Sequence, residues 1–166
     1  MAPILEQAFK LRAFLSRTDS LSLGPIKEGP HRHIVPVTHG TLEGSGLKAQ
    51  LLYGGGDWLL LDTATGVAHL DIRAQARSEK GECIYLHYPG ILKMDEATQL
   101  ALQWSPDAKT TRSEDHYFVT TPVFETSSKD LKWMEQNIFV GHGHWYIPGD
   151  GTQAVEYEIY KVVSAR

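Results

Sequence analysis

The sequence predicts an all-β fold, a closed antiparallel β-barrel of about eight to nine strands with one or two short helices. Two observations carry this expectation: apolar residues recur with a period of two along most of the chain, and glycine-rich turn segments separate the runs at short intervals. Size is a third. A chain of 166 residues with 42% hydrophobic content builds one core, so residues 1–166 are read as a single domain. That many strands must close or sandwich to hide their edges, and closure under one or two covering helices is the economical solution.

Taken in order, AFKLRAFL (8–15) reads as a first strand, HIVPVTHGTL (33–42) as a second, GLKAQLLY (46–53) as a third and WLLLD (58–62) as a fourth. Gly24-Pro25, the triple glycine Gly54 to Gly56, Thr65-Gly66, EKGE (79–82) and PGDGT (148–152) supply the reversals. VAHLDIRAQARS (67–78) and GECIYLHY (81–88) form a long hairpin, and HYFVTTPVFET, NIFVGHGHWYI and AVEYEIYKVV complete the set. Pro36 and Pro122 inside such runs mark edges or bulges, because proline has no N–H for the ladder. Helical spacing is confined to two places. Met94, Ala97, Ala101 and Trp104 share a face in KMDEATQLALQW, and SSKDLKWMEQ (127–136) opens with serines able to cap a short helix.

A formal charge of −4 with sixteen scattered Lys and Arg gives no basic patch for phosphates, so nucleic acid is not the expected partner. No stretch approaches the roughly 20 apolar residues of a membrane span, and the amino terminus lacks the apolar core of a signal peptide. Cys83 is alone, which fits a reducing compartment and excludes CxxC-type zinc and redox motifs. The expectation is a cytoplasmic protein whose partner is a small-molecule metabolite. Barrels of this kind often associate through exposed strands, which leaves a homodimer or homotrimer as the expected assembly.

IVPVTHGTLEG (34–44), the GGxDW pattern of Gly54 to Trp58, a long hairpin, YFVTTPVFET (117–126) and the W-x5-FVG pattern of Trp133 to Gly141 occur in an order that closely resembles the DUF3237 (UPF0311) family. The likeness runs from about residue 8 to the carboxyl terminus. It implies a small closed antiparallel barrel, similar in build to the allene oxide cyclase and dirigent barrels, with no reaction agreed for the whole family. Two departures add proton-active groups: His39 stands where the family usually carries a second glycine, and Trp133-Met134-Glu135 replaces a usual tryptophan-leucine-asparagine.

A barrel interior is either packed solid or holds one small ligand, and in the second case its inward polar groups aim at that ligand. The candidates for moving a proton are Asp57, His39 and Glu125, with Arg32, Arg73 and Tyr117 as electrophilic partners for developing oxyanion charge. Asp57 beside Trp58 is either a general base whose pKa the apolar ring raises or a turn aspartate bonded to its own backbone. Glu125 and Tyr117 share a strand face and reach a ligand only if that face is inward. Asp71 and Arg73 sit mid-strand among His69, Gln75 and Arg77, on the face opposite Ala68, Leu70 and Ile72. Trp58, Asp71, Tyr85 and Trp133 are the candidate substrate contacts, and Tyr88 and Tyr157 either line a pocket or pack with their hydroxyls at its rim. No GxSxG, phosphate loop or dinucleotide fingerprint occurs, so no cofactor is expected. The reading is a cofactor-independent isomerase, cyclase or lyase acting on a small apolar or aromatic metabolite. Two alternatives stand beside it: a non-catalytic binding barrel, and a metal-dependent barrel using the HxH pairs His31/His33 and His142/His144, with His39 in line with the first pair.

Overall fold

The period of two becomes ten strands in the computed structural model, which describes residues 1–165. They are β1 (Ile4–Leu15), β2 (Leu21–Pro25), β3 (His31–Gly44), β4 (Leu47–Asp62), β5 (Val67–Ser78), β6 (Cys83–Lys93), β7 (Phe118–Thr120), β8 (Val123–Thr126), β9 (Phe139–Tyr146) and β10 (Ala154–Val163). One helix, α1 (Glu96–Leu102), and two single 3-10 turns, Ser113–Asp115 and Lys132–Gln136, interrupt them. Neighbouring strands are antiparallel in the order β1-β10-β9-β7-β6-β5-β4-β3, and β3 pairs back onto β1 to close an eight-stranded barrel. The other two are accessory: β2 pairs with β3, and β8 pairs with β6 beside β7. Among the described residues, no helix is long and apolar enough to cross a membrane.

Alternation decides which side chains meet inside. In β5, Ala68, Leu70, Ile72, Ala74 and Ala76 are buried, while His69, Asp71, Arg73, Gln75 and Arg77 take the outer face. Two aromatic clusters fill the barrel. Phe9, Phe124, Phe139 and Trp133 pack at the end near the β3–β4 turn, Phe9 and Trp133 stacked at 5.6 Å. Tyr88, Tyr157, Phe118 and Trp145 occupy the other half in edge-on and tilted contacts of 5.3 to 6.0 Å. Gly143 makes room for them: a Cβ there would lie 2.8 Å from Tyr157 Cε1 and 2.9 Å from Phe118 Cγ.

The structure departs from the sequence expectation at several elements. The triple glycine is not a turn; β4 runs straight through it as one sixteen-residue strand, and the register with β5 shifts between Leu52 and Gly56. Backbone crowding explains the glycines. A Cβ on Gly55 would stand 2.4 Å from the Arg73 carbonyl oxygen, and one on Gly56 3.0 Å from that of Val35. Leu21 to Pro25 is a strand rather than a reversal, and the chain turns just after it, at residues 26–30. The run at 116–126 splits at Thr121-Pro122 into β7 and β8, as its proline foretells. Pro36 lies where β3 passes from β2, paired as far as Ile34, to β1, paired from Val37. The expected serine-capped helix at 127–136 is only a 3-10 turn whose cap position is Leu131, with no side-chain cap bond. In α1 the buried residues are Thr98 and Ala101, and Trp104 lies beyond the helix end with φ +53°.

Those adjustments leave α1 lying across one mouth of the barrel. Asp95 caps it, accepting from the Thr98 N–H at 2.8 Å. Gln153 Nε2 donates to the Ala101 carbonyl at 2.9 Å, and the Trp145 indole N–H donates to Thr98 Oγ1 at 3.2 Å. A half-buried chain of hydrogen bonds fastens the following loop. Trp145 N–H donates to Thr111 Oγ1 at 3.0 Å, so the Thr111 hydroxyl proton is free to serve His116 Nε2 at 2.7 Å, and His116 Nδ1–H meets Asp95 Oδ2 at 2.6 Å.

Candidate functional site

Asp57 enters the barrel because of where it falls on β4. It pairs with Val35 on one side and Ile72 on the other, both inward-facing, so its carboxylate points inward while Trp58 takes the outer face. The space it faces is a small chamber of about 40 Å³, with room for a few water molecules. Leu59, Leu70, Ile72, Leu92, Phe118 and Trp145 are among its apolar walls, and Tyr88 and Tyr157 also line it.

Such surroundings disfavour a charge. Burial pushes the Asp57 carboxyl up from 3.8 to about 7, and the nearby Asp71 carboxylate pushes in the same direction. Opposing them are the Asp71 backbone N–H, which donates to Asp57 Oδ1 at 3.0 Å, and the Arg32 guanidinium, whose hydrogen bond goes to the Trp58 carbonyl. Tyr88 and Tyr157 are fully enclosed, and burial raises both phenols well above their ordinary range, with Asp57 adding to the effect. Among the described residues no hydrogen bond contributes to the shift of either phenol, although buried tyrosines ordinarily find a partner. A carboxyl poised near neutral pH beside two enclosed phenols can pass a proton and hold a developing oxyanion.

The chamber opens outward. Leu15, Val35 and Leu102 line both it and a vestibule of about 530 Å³ at the α1 end, bounded by β2, the β4–β5 turn and the residues after α1, so these three side chains stand between the two spaces. Together they match the size of small-molecule sites. A broader groove of about 960 Å³ lies at the opposite end, over the solidly packed aromatic cluster, and does not lead to Asp57.

The remaining candidates scatter over the barrel. His39 is outside: β1 pairs Phe14 with His39 and Leu15 with Val37, leaving Thr38 as an extra residue that reverses the alternation of β3. Its ring stacks on Phe14 at 4.5 Å and its Nδ1 meets Thr38 Oγ1 at 2.9 Å. Glu125 lies on the exposed face of β8, opposite Tyr85 on the outer face of β6. Tyr117 is 51% exposed with Lys93 Nζ 4.7 Å above its ring. Arg73 and Asp71 pair at 3.3 Å on the outer wall, where His87 Nε2 also meets Asp71 at 2.9 Å; that bond foremost holds the Asp71 carboxyl below its usual range. Trp133 packs in the far aromatic cluster. None of these reaches the chamber, so of the proposed proton carriers Asp57 alone lies inside. The HxH pairs do not converge: His31 and His33 are on β3, His142 and His144 on β9, with β1 and β10 between. Among the described residues no three His, Cys, Asp or Glu side chains are grouped to hold a metal ion.

Sequence reasoning undervalued Tyr88 and Tyr157 and overlooked the His116, Asp95 and Thr111 chain. Strand parity could have found the tyrosines: Tyr88 follows Ile84 and Leu86 on one face, and Tyr157 precedes Ile159.

Known proteins resemble this chain along its length. The model of the family described as "Protein of unknown function (DUF3237)" matches residues 3–162. A UPF0311 protein of Clostridium acetobutylicum is 31% identical over 113 residues, 66% of either chain, and one of Rhodopseudomonas palustris is 27% identical over 143 residues, 85% of this chain and 89% of the relative. Among solved structures, a conserved protein of unknown function from Rhodopseudomonas palustris superposes with a TM-score of 0.81 at 22% identity, covering 98% of this chain and 99% of the other. A β-barrel-like protein from Acinetobacter baumannii gives 0.73 at 28%, with 98% and 97% covered. A structure described as an enzyme from Penicillium herquei gives 0.59 at 12%, with 98% and 96% covered, a likeness of fold alone.

Proposed function

The chain belongs to the DUF3237 family, and from that premise we propose that it is a cofactor-independent acid–base enzyme, an isomerase, cyclase or lyase that acts on a small, largely apolar or aromatic metabolite. One observation carries the reading: a carboxyl whose pKa is lifted to about 7 stands in an apolar chamber next to two enclosed phenols whose shifts, among the described residues, owe nothing to a hydrogen bond. Near neutral pH such a carboxyl is present in both protonation states, so one group can take a proton from carbon or oxygen and return it. Tyr88 and Tyr157 remain protonated and serve as donors to an oxyanion, the role a preorganised hydroxyl fills best where water is excluded. His39, Glu125, Arg73 and Tyr117 have no part in this scheme, and Arg32 acts only through its field at Asp57.

The test is to incubate the purified protein and its Asp57→Asn variant with fractionated metabolite extracts and follow each component by mass spectrometry and chromatography. A component consumed by the wild type and left intact by the variant supports catalysis. A component that co-purifies with both proteins and is recovered unchanged supports the competing reading, a binding barrel, which the apolar walls and enclosed shape also suit.

A further inference from the structure

The vestibule has a chemistry of its own. None of its lining residues is Asp or Glu, although the chain carries 20 of them and is net negative. Its polar lining consists of hydroxyls and amides, notably Ser20, Ser22, Gln99, Gln103 and Gln153, together with His33 and Arg17. Burial, helped by the neighbouring His31, lowers the His33 pKa and leaves that ring neutral near pH 7. Arg17 is then the one formal charge on the wall. Among the described residues it forms no ion pair, whereas Arg12, Arg73 and Arg112 each have a carboxylate.

Trp104 stands beside it in an unexpected conformation. It follows the last residues of α1 with φ +53°, the left-handed region that a helix end ordinarily gives to glycine. The stop itself is ordinary, with Ser105 N–H bonded to the Leu100 carbonyl at 3.0 Å. Glycine would end the helix the same way without strain, so the indole is what distinguishes this residue. It lies with the Arg17 guanidinium 5.8 Å from its ring centroid, and both line the vestibule. Arginine and an indole side by side grip a flat conjugated anion, the guanidinium taking the charge and the ring taking the face.

We propose that the vestibule binds the anionic, conjugated end of an organic acid between Arg17 and Trp104, while a compact apolar end passes Leu15, Val35 and Leu102 to reach Asp57. This rests on the acid–base reading for what happens at Asp57 and adds to it the class of substrate. The chamber of about 40 Å³ is too small for more than the reacting group, so the bulk of the ligand must lie in the 530 Å³ outside.

Two fluorescent probes of similar shape test it, the anion 8-anilinonaphthalene-1-sulfonate and neutral N-phenyl-1-naphthylamine. Arg17 is exposed, so Arg17→Met keeps the fold; it is expected to weaken the anion tenfold or more and leave the neutral probe within twofold. Raising the salt on the wild type should reproduce that selectivity. Trp104→Asn, which tolerates φ above zero, should weaken both probes at least fivefold without lowering the melting temperature. The inference is overturned if Arg17→Met weakens both probes alike or neither, or if Trp104→Asn binds both as the wild type does. The carbon NMR titration of Asp57 separates the two proposals. A midpoint near 7 with no Arg17 effect removes this inference alone, and an ordinary midpoint with the Arg17 effect intact removes the acid–base reading alone.

Discussion

Replacing Asp57 with asparagine should make the protein more stable at alkaline pH, and the size of the gain follows from the site. In the unfolded chain the carboxyl titrates near 3.8, and in the barrel near 7. Below pH 3.8 both states hold the proton and nothing is lost. Between the two values the unfolded chain ionises while the folded one does not, so stability falls as pH rises, and above about 7 the loss is complete. Each pH unit of that gap is worth about 1.4 kcal/mol, so the ionised carboxyl costs the fold about 4 kcal/mol. Asparagine is neutral throughout and keeps an oxygen for the Asp71 N–H, though its amide brings donors the chamber leaves unsatisfied, costing about 1–2 kcal/mol at every pH. The assay is urea denaturation of both proteins from pH 4.5 to 8. Other titrating groups are common to the pair and cancel in the difference. That difference should move toward the variant by about 3 kcal/mol across the range, most of it below pH 7. A difference that stays flat within about 0.5 kcal/mol would show that the folded carboxyl ionises normally, and the acid–base scheme would fail with it.

Tyr88→Phe and Tyr157→Phe remove hydroxyls that no hydrogen bond among the described residues engages, so each should leave stability within about 0.5 kcal/mol while lowering turnover roughly tenfold to a thousandfold; a melting temperature that drops sharply would mean the hydroxyls serve the fold. Gly143→Ala drives a Cβ to 2.8 Å from Tyr157 and 2.9 Å from Phe118, and calorimetry should find it destabilised by about 1–3 kcal/mol, whereas an unchanged protein would mean the rings can move aside at no cost. Thr111→Val severs the chain from Trp145 to His116 and leaves buried donors and acceptors unmet, so a loss of about 1–3 kcal/mol is expected, with faster amide exchange in α1 as the local readout.

The barrel was legible because period-two alternation is a property of each strand by itself. Val67 to Ser78 reads the same in sequence and structure because every second residue is small or aliphatic and the rest are charged or polar. What misled was any feature whose meaning depends on a neighbouring strand. Three consecutive glycines read locally as a turn, yet their cause is the closeness of the Arg73 and Val35 carbonyls, which no local pattern records. His39 lies in register with His31 and His33 by counting, and one extra residue at Thr38 sends it outside. Glu125 and Tyr117 depended on a guess about which face was inner; burial of Phe118, Thr120 and Phe124 settles it against them. Asp57 was recognisable as a candidate, but its raised pKa comes from burial inside the barrel together with the Asp71 charge, and both depend on the neighbouring strands.

The five residues Gly54 to Trp58 tie the fold to the chemistry. Across the glycines β4 carries two extra residues relative to β5 and one relative to β3, a wide bulge that lets both neighbours close in on a bare backbone. Just past it, pairing with β5 is recorded at Asp57 and Ile72 and again at Leu60 and His69, and in the gap the Asp71 N–H turns to the Asp57 carboxylate. That single donor lets an acid sit in an apolar interior without being fully ionised or wholly unpaired. A fully apolar residue at position 57 would leave the Asp71 N–H without that acceptor, and a side chain on Gly55 would force β5 away at Arg73 and Ala74, next to the Ile72 wall. The bulge and the acid therefore depend on each other, which is a physical reason for glycines and aspartate to stand as one unit where β4 meets the chamber.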